Sequence, residues 1–406
     1  MGRRYYTLRH GRREGLPFSG AAAPVVTLLS YGFTGAFLGN AGTLSLSYPG
    51  LNLTRASAAT VQTSASTVVT SPTNDQARIG STGAAWGQGL VIEEARTNGC
   101  LGARTIPTNW GGAGVGVTYT TGQTGPDGTT GAQRVQLAAA GQNSNFQDTS
   151  ANGITIGAAA YWSQWARGTS VAQAHDFTMG NSGSAGNAFQ VATTTSWQRF
   201  SSNAYASNAA ANYFIPVDSE FFSNGACDVL LDFCQVELGK FPTEAIVTGA
   251  AAATRAGERL FITSAATVID TNRMGLAFTF VAKAIPANYS AIAYLWFIDA
   301  SNKAWIDVTQ KLNVMLGGVT VTSAAAIAWA FGDVVDMWIA CGAGSNAVVE
   351  YRTNGGVKTV LINTALAGNP SGAGNIDICC SGTSNQLSCW LQNLTAYKTG
   401  QQPSWA

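Results

Sequence analysis

Charge is scarce in this chain: 11% of its 406 residues are Asp, Glu, Lys or Arg, and the formal net charge is +1. Such a balance sets up no global field for nucleic acid or an anionic membrane, and neither is expected as a partner. Histidine is rarer still, with His10 in a basic N-terminal stretch and His175 in a Gly/Ser-rich region that reads as loop. No Gly-x-Ser-x-Gly elbow on a strand-to-helix turn accompanies them, so a Ser-His-Asp or Cys-His relay is not expected. The turn formers Gly180-Asn181-Ser182-Gly183-Ser184-Ala185-Gly186 carry no Lys-Ser/Thr pair to cradle phosphate. Long apolar runs are also missing; the nearest, 323–331, is far too short to span a bilayer. The first residues are basic, as in a signal peptide, but Pro17, Ser19, Gly20 and Pro24 break the stretch that follows. A soluble protein, not exported by itself, is the expectation.

Carboxylates and thiols are too few, or wrongly spaced, for the chemistry they often perform. Glu93 and Glu94 are adjacent, so on a strand they face opposite ways and do not flank one sugar. Asp228 and Asp232 share a strand face, but Glu237 follows at an odd offset. No catalytic residue is assigned. Seven cysteines, at 100, 227, 234, 341, 379, 380 and 389, are an odd number and include no C-x-x-C pair. Neighbours such as Cys379 and Cys380 point to opposite faces of a strand, so the thiols read as small buried hydrophobes. No metal site and no cofactor are expected. Asp127-Gly128 and Asp299-Ala300-Ser301-Asn302 read as ordinary turns rather than calcium ligands.

What the chain does have is 47 glycines, many Thr, Ser, Ala and Asn residues, and short runs alternating with period two. Gly and Asn relieve turn strain while β-branched and aromatic residues suit pleated surfaces, so the fold class is all-β. Runs at 115–120, 132–137, 154–167, 188–191, 197–201, 211–215 and 226–237 predict a two-sheet antiparallel sandwich of jelly-roll type. The last run places Cys227, Val229, Leu231 and Phe233 on one apolar face. A second set, at 275–284, 292–298, 304–309, 311–316, 334–341, 347–352, 357–361, 376–380 and 387–398, predicts another sandwich. Its Asn354-Gly355-Gly356 turn is the clearest hairpin signal. These runs divide the chain into a basic arm (1–24), an extended lead-in adding strands to the sandwich that follows (25–98), a first sandwich (99–250) and a second (251–406). The late strands of the second resemble those of concanavalin-A-like or laminin-G-like sandwiches.

Several short blocks follow one another along the chain. They are Leu53-Thr54-Arg55-Ala56-Ser57-Ala58-Ala59-Thr60, Ala77-Arg78-Ile79, Gly89-Leu90-Val91-Ile92-Glu93-Glu94-Ala95-Arg96-Thr97-Asn98, Gln235-Val236-Glu237-Leu238-Gly239-Lys240-Phe241-Pro242-Thr243, and Ala253-Thr254-Arg255-Ala256. Taken locally, the third block is a strand running into a polar turn, with Arg96 pairing one of the two glutamates. In order, the blocks resemble a family of tailed-bacteriophage virion proteins over roughly 33–262, in which they flank a carbohydrate-binding-module-like β-sandwich. Gly99-Cys100 departs from the leucines usual there. The resemblance implies a non-enzymatic virion structural protein, assembled in the host cytoplasm with free thiols. As a tail-associated fibre or tip protein it would bind host surface glycans, as a homo-oligomer with a trimer favoured. Capsid decoration or a head-fibre role is the alternative; a secreted polysaccharide-degrading enzyme is a third.

Two groups of residues are candidate sites. Arg3, Arg4, Tyr5, Tyr6, Arg9, Arg12 and Arg13 form a basic, aromatic arm suited to docking on another virion protein of tail or capsid. Trp162, Trp165 and Trp197, beside Gln164, Arg167 and Arg199, are the candidate platform for host polysaccharide, because indole faces pack against sugar C–H groups. Trp162 and Trp165 point to opposite faces of one strand, so one of them is expected nearer solvent or another subunit.

Overall fold

The computed structural model describes residues 27–32, 51–64, 67–71, 78–80, 89–105, 116–141, 147–148, 159–180, 188–202, 205–206, 213–219, 225–239, 241–264, 273–289, 292–342, 346–366, 368 and 374–397. They fold almost wholly as antiparallel strands, and the chain is all-β.

The first sandwich has a larger sheet ordered Gln198–Ser201, Ala159–Gly168, Cys227–Leu238, Thr130–Leu137, Val117–Thr124. Its smaller sheet runs Gln147–Asp148, Tyr213–Asp218, Gln173–Gly180, Ala188–Thr193. Trp162, Phe177, Phe214, Val229 and Leu231 meet between the two. Gln173–Gly180 corrects the loop reading of His175: polar Gln173, His175 and Asp176 interrupt the alternation, yet the segment is a strand and His175 is buried.

Cys227–Leu238 does not keep the face pattern of its sequence. The register passes from Ser163 opposite Gln235 to Trp165 opposite Asp232, which leaves Phe233 and Cys234 together facing Gln164. Phe233 adopts a left-handed φ of 47°. This bulge inserts one residue and swaps faces. Cys234 and Val236 therefore continue the inner face, while Phe233 joins Trp165, Trp197 and Leu230 on the outer one. The expected apolar face through Phe233 ends at Leu231.

The second sandwich draws strands from both ends of the described chain. One sheet is ordered Thr359–Ala365, Asn346–Thr353, Val334–Gly342, Arg273–Ala282, Cys389–Tyr397, Gly89–Ile92, Ile79–Gly80, with Thr27–Gly32 also paired to Cys389–Tyr397. The other runs Leu51–Thr54, Arg259–Ile262, Ile376–Ile378, Ala293–Asp299, Asn302–Ile306, Lys311–Leu316, Val319–Ala326. The lead-in strands Thr27–Gly32, Leu51–Thr54, Ile79–Gly80 and Gly89–Ile92 thus join the second sandwich, not the one that follows them in sequence, while the lead-in hairpin Ala59–Ser64/Thr67–Ser71 packs through Val68 on the outer face of the first. Spaced apolar pairs such as Leu51/Leu53 and Leu90/Ile92 suit any half-buried sheet, and they do not encode a partner. The Asn354-Gly355 turn forms as expected, with φ of 52° and 69°.

The first sandwich is therefore an insertion. Its chain leaves through Arg96–Asn98 and returns through Ala253–Arg255, which pair antiparallel as a neck. Buried Asn98 closes the neck: its amide donates to the carbonyls of Cys234 and Ile246, and its Oδ1 accepts from Cys100 N and Val236 N.

Candidate functional site

Where the neck meets the second sandwich, residues of the short blocks close into one buried ionic network. On Gly89–Ile92 and its continuation, successive side chains alternate. Glu94 turns outward to pair with Arg96, as the local reading expects, and Glu93 turns inward. There Glu93 accepts from Arg78 Nη2 at 3.1 Å, Arg255 Nη1 at 2.5 Å, Lys283 Nζ, and the backbone N–H of Glu244 at 3.0 Å. Glu258 binds Arg78 Nη2 at 2.6 Å, lies 3.5 Å from Arg55, and accepts the N–H of Glu93 at 3.0 Å. Glu244 takes Lys283 Nζ at 2.7 Å and the N–H of Gln62 at 3.1 Å, with Arg199 Nη1 at 4.0 Å.

Burial by itself would raise the Glu93 carboxyl, but Arg255, Lys283 and Arg78 outweigh it and hold the group well below the usual carboxylate range. Burial would likewise lower Arg78, and Glu258, Glu93 and Glu244 reverse that. A set of fully desolvated charges persists only when every member is paired. The network consequently fixes lead-in, neck and second sandwich to one another. It offers no general acid, because its carboxylates face cations instead of solvent.

Other acidic groups are also engaged. Arg104 bridges Asp127 and Asp232, with contacts of 2.7–2.9 Å. Burial pushes Asp232 up to about 6 despite that partner, because its carboxylate is wholly buried while the guanidinium keeps some solvent contact. Arg134 pairs with Asp228 at 2.5 Å. Asp299 accepts from Ser301 N and Asn302, as a turn residue does. His175 is held neutral by burial, which lowers it to about 3. Among the described residues no three His, Cys, Asp or Glu side chains are grouped to hold a metal ion.

The candidate glycan platform is corrected by burial. Trp162 lies in the sandwich core against Phe177 and Phe214. Trp165 points to the opposite face, as expected, but that face is covered as well, by Val68 of the lead-in hairpin and Ala245 beyond the last strand. Trp197 keeps 9% of its surface and lies under the Arg167 guanidinium, 5.5 Å from its ring centre. Gln164 is buried and donates to the Pro216 carbonyl at 3.2 Å. Arg167 Nη1 donates to Thr195 O at 3.2 Å. None of the three indoles presents an open ring. The docking candidates Arg3, Arg4, Tyr5, Tyr6, Arg9, Arg12 and Arg13 lie outside the described residues.

Arg199 lines a surface cleft. A space of about 340 Å³ opens between the sandwiches, lined by Gln62, Gln198, Arg199, Ser201, Pro242, Lys283, Phe331 and Trp390. Phe331, 60% exposed, meets buried Trp390 edge-to-face at 6.3 Å, and Lys283 Nζ lies 4.3 Å from the Trp390 ring centre. A sequence signal for this cleft is missing, because its residues come from the lead-in, the first sandwich and three parts of the second. Phe331 itself ends the apolar run 323–331, whose only sequence reading is that it is too short to span a bilayer.

No protein-family model and no curated protein matches the chain. Among solved structures it is similar to the N-terminal CBM22-1–CBM22-2 tandem domain of Xyn10C from Paenibacillus barcinonensis. Identity there is 12% over 77% of this chain and 98% of that one, with a TM-score of 0.26. It is also similar to domains LG4-5 of the mouse laminin alpha1 chain, at 10% identity over 60% of this chain and 82% of that one, with a TM-score of 0.20. Superpositions at these scores assign no residue of this chain a role.

Proposed function

We propose that this chain is a non-enzymatic structural protein of a tailed-phage virion, tail-associated, that binds host surface glycans in several copies. The observation that carries the reading is the ionic joint. Arg55, Arg78, Glu93 and Arg255, drawn from four of the short blocks, meet there with Glu244 and Glu258 just beyond two of them. In this chain those blocks supply a device that locks an inserted sandwich onto a second one. A locked pair of sandwiches suits a particle protein, which holds a binding surface at a fixed angle. The basic arm before Pro24 is its docking segment. Deleting 1–16 is expected to leave the sandwiches folded and to abolish incorporation.

One observation favours the second reading, capsid decoration or a head fibre: the indoles expected to stack on sugar are core residues. Gold-labelled antibody to this chain separates the two on intact virions. Label at tail fibres or tip supports the proposal, label spread over the capsid supports the alternative, and unlabelled particles refute both. Particles bearing many copies are expected to bind host polysaccharide where one copy binds weakly, since linked sites multiply modest affinities.

A further inference from the structure

We infer that the cleft between the sandwiches is the glycan site and that it takes a sugar bearing a carboxylate. The inference rests on the glycan-binding reading and goes beyond it in site and in substrate class. An open apolar ring stands on one wall, Phe331, backed by Trp390. The remaining lining is mostly polar: Gln198 accepts from Thr194 N through its Oε1, which leaves its amide NH₂ for another acceptor, and exposed Ser201 lines the same cleft. A ring to pack on and hydroxyl-matching donors are what a pyranose requires.

The charge argument is separate. Among the described residues, seven ion pairs of the joint join five cations, Arg55, Arg78, Arg199, Arg255 and Lys283, to three carboxylates, Glu93, Glu244 and Glu258. Even counting Glu237, one step away through Thr243, the balance stays positive. Lys283 is consumed by Glu93 and Glu244. Arg199 is not: its Nη2 donates to Ser163 Oγ at 3.0 Å and to the Thr243 carbonyl, but its Nη1 stands 4.0 Å from Glu244, beyond hydrogen-bond reach. Among the described residues the cleft lining contains this guanidinium and no carboxylate. A planar fork with an unsatisfied end selects a carboxylate over a hydroxyl, because the charge-assisted bond is roughly twice as strong as a neutral one. The volume of about 340 Å³ admits a short saccharide rather than a polymer cross-section.

The test uses the full chain and saturation-transfer NMR titration with two probes, a disaccharide ending in glucuronate and the same disaccharide ending in glucose. The uronate is expected to bind about tenfold more tightly, with the preference shrinking as salt screens the partly exposed site. Phe331→Ala, at an exposed position that leaves the fold intact, is expected to weaken both probes about tenfold by removing the stacking ring. Arg199→Gln is expected to erase the preference for the uronate. Equal binding of the two probes overturns the charge assignment, and uronate binding unchanged in Phe331→Ala overturns the site. If neither disaccharide binds while multivalent particles still hold host polysaccharide, this inference falls and the glycan reading stands. If the particles fail as well, both fall.

Discussion

Replacing Glu93 by glutamine removes one charge and almost no volume, so it tests whether the joint holds the two sandwiches together. The wild-type carboxylate faces Arg78, Arg255 and Lys283, and all four groups are buried. At an effective dielectric near 20, a pair about 4 Å apart between charge centres is worth about 4 kcal/mol, so the three pairs are large in gross terms. Desolvation of the four groups offsets most of that, and the net loss on breaking such a buried set is about 3–5 kcal/mol. Glutamine also turns an NH₂ toward cations, so the variant sits at the upper part of that range. The assay is urea denaturation followed by tryptophan fluorescence, with hydrogen exchange at the neck strands Arg96–Asn98 and Ala253–Arg255. The expected outcome is an earlier transition and neck amides that exchange faster, with the inner strands of the first sandwich still protected. The pH dependence carries a sign. Glu93 has a folded value well below its ordinary 4.5, so its contribution is present above 4.5 and is lost only as the pH falls toward the folded value. The variant should therefore lose less stability than wild type as the pH falls below 4.5. A Glu93→Gln protein within about 1 kcal/mol of wild type would falsify the claim that this network fixes the joint.

Trp162→Ala and Trp165→Ala should each cost about 3–5 kcal/mol, read as a lowered melting temperature, because both side chains are fully buried; weakened glycan binding with unchanged melting would contradict their burial. Asp232 has a folded value of about 6 against an ordinary 3.8, so its contribution favours folding below 3.8 and is lost as the pH rises through 6. Asp232→Asn is expected to flatten melting temperature against pH in that window, and an unaltered slope would refute the assignment. Burial pushes the thiols of Cys227 and Cys341 up to about 12, so both should resist alkylation in the native state. After denaturation without reductant, mass spectrometry should find most of the seven cysteines modified; three intact bridges would overturn this.

Strand formation is local, and it was legible. Alternation at 132–137 and 311–316 and the Asn354-Gly355 turn each state their conformation within a few residues, because side chains two apart share a face. The order of the short blocks also marked the residues that matter, although it could not say how they meet. What the tertiary structure decided was partnership. Gly89–Ile92 reads equally well beside either sandwich, and the choice depends on Cys389–Tyr397, about three hundred residues later in the chain. Glu93 and Glu94 are indistinguishable in sequence; one became a buried hub because Arg78, Arg255 and Lys283 arrive from three other segments, while the other paired locally with Arg96. The same holds for the indoles. A tryptophan on the outer face of a strand is a sugar platform or a core residue according to what lies above it. At Trp165 that layer is Val68 and Ala245, both distant in sequence. Periodicity reports which side of a strand a residue occupies, and only long-range packing sets whether that side meets water or protein.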